Sequence, residues 1–122
     1  MTEMPTLMRL AAGAARHAAA RQAVIAVNVA NADTPGFKAR DAAPFALEDG
    51  LTLRTTRAGH ISGDGLAAET FELRDVPADP NGNNVDLEDQ ILRGIEASRR
   101  HDRAITIYSN ALDMLRSSIG RR

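Results

Sequence analysis

The sequence predicts a mainly α fold. Two long terminal helices pair antiparallel, in coiled-coil fashion, around an irregular Gly/Pro-rich middle that holds at most one short β-hairpin. Three observations predict this. Residues 5–31 contain no Pro after Pro5 and a single Gly, Gly13, with apolar side chains at steps of three and four. Residues 35–82 hold Gly36, Gly50, Gly59, Gly63, Gly65 and Gly82 together with Pro35, Pro44, Pro77 and Pro80. Residues 86–118 return to helical spacing and carry four to five heptads. The chain therefore divides into residues 1–34, 35–82 and 83–122.

In the first helix Leu7, Met8, Ala11, Ala14, Ala15, Ala18, Val24 or Ile25, and Val29 share one face. At 1.5 Å per residue the helix spans roughly 40 Å. Arg9, Arg16 and Arg21 with no acid in residues 4–32 also fit an organelle transit peptide. The segment runs into a turn rather than a cleavage site, and Arg9 and Arg16 interrupt any secretory apolar core. The helix stops at Asn28–Val29–Ala30–Asn31. Asn28 and Asn31 lie on one face, Asn31 tolerates the left-handed conformation that ends helices, and Pro35 cannot continue one. Thr34-Pro35-Gly36-Phe37 fits a type II turn, with Pro35 presetting φ and Gly36 accepting a positive one.

In the middle, Leu51–Thr56 alternates at period two and reads as a strand with Thr70–Arg74 as its partner. Asp86 then reads as the N-cap of the second helix, with Glu88 and Asp89 in its positive first turn. That helix ends near Ser118, with Gly120 as stop and Arg121-Arg122 at its negative end. One heptad set is Ile91, Ser98, Ile105, Leu112 and Ile119; the other is Leu87, Gly94, His101, Tyr108 and Leu115. The apolar members, Leu87, Ile91, Ile105, Tyr108, Leu112, Leu115 and Ile119, form a candidate assembly seam, weakened at Gly94, Ser98 and His101. A plain two-helix packing face produces the same spacing. Glu96 and Arg100 are placed to pair at i,i+4.

Of the 122 residues 43% are apolar, leaning on Ala, and only 3% are aromatic. Ala packs helices closely but buries little area, so burial against neighbouring chains is expected. The net charge of −1 argues against a general polyanion binder. Without Cys there are no disulfides, thiol catalysis or Cys-based zinc sites, and no run is long enough to span a membrane. His17, His60 and His101 lack metal-ligand spacing. Asp79, Asn81, Asn83 and Asp86 loosely resemble a calcium loop, but Gly82 falls fourth rather than sixth; a turn and a helix cap explain them equally. Ser62, Ser98, Ser109, Ser117 and Ser118 have no nucleophile motif around them. Arg99-Arg100 with Arg103, and Arg121-Arg122, read as solvated or intersubunit charges. No catalytic, cofactor or metal residue is assigned.

The order Asn28, Val29, Ala30, Asn31, Thr34, Pro35, Gly36, Phe37, Lys38 resembles the signature of the flagellar axial proteins, Asn-Ile/Val-Ala-Asn-x-x-Thr-Pro-Gly-Tyr/Phe-Lys. Gly82-Asn83-Asn84-Val85-Asp86-Leu87-Glu88 and Met114-Leu115-Arg116-Ser117-Ser118-Ile119 are similar to the corresponding stretches of its proximal-rod subclass. His101-Asp102 and Phe37 depart from the commoner Tyr-Gln and Tyr. The resemblance implies a non-catalytic rod subunit of the basal body, without cofactor, small-molecule substrate or nucleic acid. It implies export by the flagellar type III apparatus without a cleaved signal peptide. The implied partners are further copies, other rod proteins, the rod-base adaptor and the inner-membrane ring. The competing reading is a soluble helical adaptor or export chaperone for a single partner.

Overall fold

The computed structural model describes residues 3–46 and 68–120. Helix α1, Glu3–Ala30, and helix α2, Leu87–Ile119, lie side by side. Strands β1, Arg40–Ala42, and β2, Thr70–Glu72, pair antiparallel between them in the chain. No helix among the described residues is long and apolar enough to cross a membrane.

Both helix ends use local chemistry. Asp86 caps α2 by accepting from the Glu88 and Asp89 amides at 3.0 and 3.4 Å. Gly120 ends it by donating to the Arg116 carbonyl, but at φ −77°, so no left-handed cap is used. α1 ends without one too, since no described residue other than glycine has positive φ. The Asn31 amide is instead shared between the Val27 and Asn28 carbonyls, and its side chain donates back to Val27 O at 2.8 Å. The positive φ falls at Gly36, +73°, where Phe37 N–H closes the turn on Thr34 O.

The helices run antiparallel: Asn28 meets Gln90 and, seven residues back, Arg21 meets Glu96. Their contact runs on small residues. α2 buries Gln90, Ala97, Ala104 and Ala111 at a strict stride of seven. α1 answers with Ala11, Ala18 and Ile25 at the same stride, plus Ala15 and Asn28. Ile25, not Val24, is the buried member of that ambiguous pair, and Gly94 lies opposite it. This line sits one residue before the predicted Ile91–Ile119 set. Alanine allows close approach of the two backbones, so the larger residues are displaced to the flanks.

Residues 39–45 form a strap over α1. His17 Nε2 lies 2.6 Å from Ala43 O, its ring packs against Phe45 with centroids 5.6 Å apart, and Gly13 leaves room beneath the Phe45 ring. The strand expected at Thr70–Arg74 forms over Thr70–Glu72. Its partner is β1, in the register Arg40↔Glu72, Asp41↔Phe71 and Ala42↔Thr70, extended by Ala43 N–H to Glu69 O and Leu73 N–H to Ala39 O. The strap is fixed to α1 by side chains far away in sequence and so presents a ready edge. Leu51–Thr56 lies outside the described residues.

Candidate functional site

The two sequence signatures meet at one joint beside the paired helix ends. Asn28 is 1% exposed. Its Nδ2 donates to Arg40 O at 2.6 Å and to Gln90 Oε1 at 2.9 Å, while its Oδ1 accepts from the Arg40 amide. It thereby ties α1 to both the strap and α2. Asn83 donates from Nδ2 to Asn31 O at 2.9 Å and Thr34 O at 2.7 Å, a second bond to carbonyls that already accept the Thr34 and Phe37 amides of the turn. Asn84 accepts the Ala39 amide at 2.6 Å and donates to Leu73 O at 2.8 Å. No buried side-chain polar atom among the described residues lacks a partner, as a polar core must achieve to be stable.

The turn closes on the same joint. Gly36 N–H donates to Asn81 O at 3.0 Å, and Lys38 Nζ donates to Gly82 O at 2.7 Å. Gly82 has φ +84°, and a Cβ there would stand 3.3 Å from Gly36 Cα. Gly36 itself faces open space. Gly36→Val is therefore expected to cost about 1–3 kcal/mol through backbone strain alone. Gly82→Ala adds a steric contact to the same strain, so it should lower the urea midpoint more than Gly36→Ala does.

A charge cluster locks the strap across both helices. Arg21 grips Asp41 with two bonds, at 2.9 and 3.1 Å. Arg93 donates to Asp41 at 2.6 Å and to Asp89 at 2.6 Å, and Arg21 also reaches Glu96 at 3.3 Å. Burial pushes the Asp41 carboxyl up, but hydrogen bonds from Arg21, the Ala42 amide and Arg93 outweigh it and hold it below the usual carboxylate range. The Asp41 hydrogen bond raises Arg21 above its ordinary value. Because the folded value lies below the unfolded one, Asp41 stabilises the fold fully above the unfolded carboxylate range. That contribution is lost as pH falls through the folded value. Urea midpoints should be flat at neutral pH and fall below about pH 4, with the slope reduced in Asp41→Asn. The expected Glu96–Arg100 pair also forms, at 2.6 Å.

The candidate assembly residues lie elsewhere. Ile91, Ile105 and Ile119 are 59%, 48% and 72% exposed. Leu87 and Tyr108 are exposed, and Leu112 and Leu115 are half-buried by the helix pair. Ile91, Ser98, Ile105 and Leu112 each follow a buried residue of α2 by one position, about 100° round the helix. Arg93, three positions after Gln90, lies on the opposite flank, where Asp41 holds it. In α1, Ala12, Ala19 and Ala26 follow Ala11, Ala18 and Ile25 by one, and Arg21 follows Ala18 by three. The two arginine flanks both face the strap, so in an antiparallel pair the other two flanks share the opposite side. Among the described elements α2 packs along α1 and otherwise reaches only the strap, through Arg93 on the arginine flank. Among the described residues, the side opposite the strap is an uncovered, mainly apolar face.

The remaining polar residues have local work. Asn81 Oδ1 accepts the Asn83 amide and Asn83 Oδ1 accepts the Val85 amide; with Asp86 as cap, the turn-and-cap reading accounts for these oxygens. Among the described residues no group of three or more His, Asp or Glu is placed to hold a metal.

A family profile described as "Flagella basal body rod protein" matches residues 8–38, the span from α1 through the turn. The chain is 29% identical to flagellar basal body rod protein FlgB of Agrobacterium fabrum, over 94% of this chain and 93% of that one. It is 31% identical to FlgB of Salmonella typhimurium over 77% and 78% of the two chains. For FlgB of Cereibacter sphaeroides the identity is 32% over 81% and 82%. With its signature residues gathered in one joint and its similarity extending over most of its length, the chain belongs to the FlgB family of flagellar basal body rod proteins.

Proposed function

We propose that this chain is a non-catalytic structural subunit of the proximal rod of the flagellar basal body, and that copies assemble through their terminal helices into a helical tube. The observation that carries the assembly reading is the uncovered face. Side chains as large as Ile91, Ile105 and Ile119 stand exposed on one side of the helix pair, while the intramolecular contact is made largely of alanine. A buried Ala contributes well under the roughly 1.5–3 kcal/mol of a buried Leu or Ile, so burying these isoleucines between subunits would contribute more per residue than the alanine contact does within the chain. Further copies, other rod proteins, the rod-base adaptor, the inner-membrane ring and the type III export apparatus are the partners this reading names. The joint around Asn28 and Asn83 sets the angle at which the strap leaves α1, and thus which side stays open.

The test is electron microscopy of basal bodies from cells lacking this protein, with and without complementation. Rods should be missing and then restored. Intact rods in its absence, together with a purified protein that forms a small, stable helical complex with one partner, would favour the adaptor reading.

A further inference from the structure

We propose that Asn81–Gly82 is a modification site gated by the fold: the bond deamidates in the open chain and is protected once the helix-end joint closes. It is the one Asn-Gly pair in the sequence; the other asparagines, Asn28, Asn31, Asn83, Asn84 and Asn110, precede Val, Ala, Asn, Val and Ala. Glycine lacks the side chain that hinders its own nitrogen. In the open chain the backbone nitrogen of Gly82 attacks Cγ of Asn81. A C–N bond forms, the bond to the side-chain nitrogen breaks, and ammonia leaves carrying the amide proton. Water then opens the cyclic imide at either carbonyl, giving aspartate or isoaspartate at position 81.

Asn81 is exposed, so solvent access does not protect it; hydrogen bonding does. The attacking Gly82 N–H donates to Asp79 O at 2.8 Å, and Asn81 O accepts Gly36 N–H at 3.0 Å. The Asn81 side chain is turned onto the Asn83 amide at 3.0 Å, and Gly82 O is held by Lys38. Cyclisation requires the Gly82 nitrogen to leave its carbonyl and both residues to rotate against these anchors. Isoaspartate adds a methylene to the backbone between the Gly36 contact and Asn83. A chain modified while open therefore cannot restore both bonds, and the Asn83 bridge to Asn31 and Thr34 is lost with them. Plain aspartate keeps the acceptor oxygen and closes normally.

The full chain is incubated across a denaturant series at mildly alkaline pH. Helicity is followed by circular dichroism, and the peptide containing residue 81 by mass spectrometry for exchange of its side-chain nitrogen for oxygen. The rate at Asn81 should follow the open fraction and be roughly tenfold or more lower in native buffer than in full denaturant. Asn81→Gln should abolish the mass change, because the larger ring forms far more slowly, and Asn81→Asp should retain native helicity. A rate at Asn81 independent of the unfolding transition, or equal in native buffer and denaturant, would overturn the proposal. So would modification concentrated at the other asparagines.

Discussion

Asp41→Asn is expected to destabilise the folded chain by about 3–5 kcal/mol, the range for removing one partner of a buried ion pair. The Asp41 side chain is 5% exposed and neutralises two arginines at once. Asparagine keeps the shape but leaves Arg21 and Arg93 facing each other without a counter-charge at the point where the strap crosses both helices. Arg93→Met should cost less: Arg93 is 27% exposed, and Asp41 would keep Arg21 and the Ala42 amide. Equilibrium unfolding in urea distinguishes the two variants. A cost for Asp41→Asn below that of Arg93→Met would show that the strap is held by packing rather than by this cluster.

The second large effect concerns assembly. Ile105→Asp should leave the stability of the isolated chain within about 0.5 kcal/mol, as for most exposed positions, and abolish rods. Placing an unpaired carboxylate in an apolar contact costs several kcal/mol, and in a polymer the cost recurs in every copy. Ile91→Asp should behave alike. Leu112 and Leu115 are less clean probes, because the helix pair already half-buries them and their truncation would disturb the hairpin as well as the interface. The assay pairs circular dichroism of the purified variant with imaging of basal bodies from cells that express it.

Much of the local structure was legible in the residues. The proline-free alanine run, the Thr34–Phe37 turn with Gly36 at positive φ, the Asp86 cap and the Glu96–Arg100 pair are each set by neighbours within four positions. Three features were not legible. The contact between the helices uses Ala97, Ala104 and Ala111, and a search for large apolar side chains passes over alanine to the flanking isoleucines. The pairing of β2 with β1 was not foreseen, because Asn28 and Asp41 seat the strap on the helix pair, and those contacts span more than the local window. The joint itself was read as two separate motifs. The long-range bonds of Asn83 and Asn84 to backbone atoms of the turn and strap have no periodicity to betray them. The one available signal was the density of small polar residues in Asn81–Asp86 in a chain otherwise poor in buried polar groups.

The most direct test of the account is a density map of the assembled rod at side-chain resolution. Ile91, Ile105 and Ile119 should be buried against a neighbouring subunit, with Asp41 still clasped by Arg21 and Arg93 on the opposite side. A rod in which those isoleucines face solvent, while subunits meet through the strap side, would contradict it.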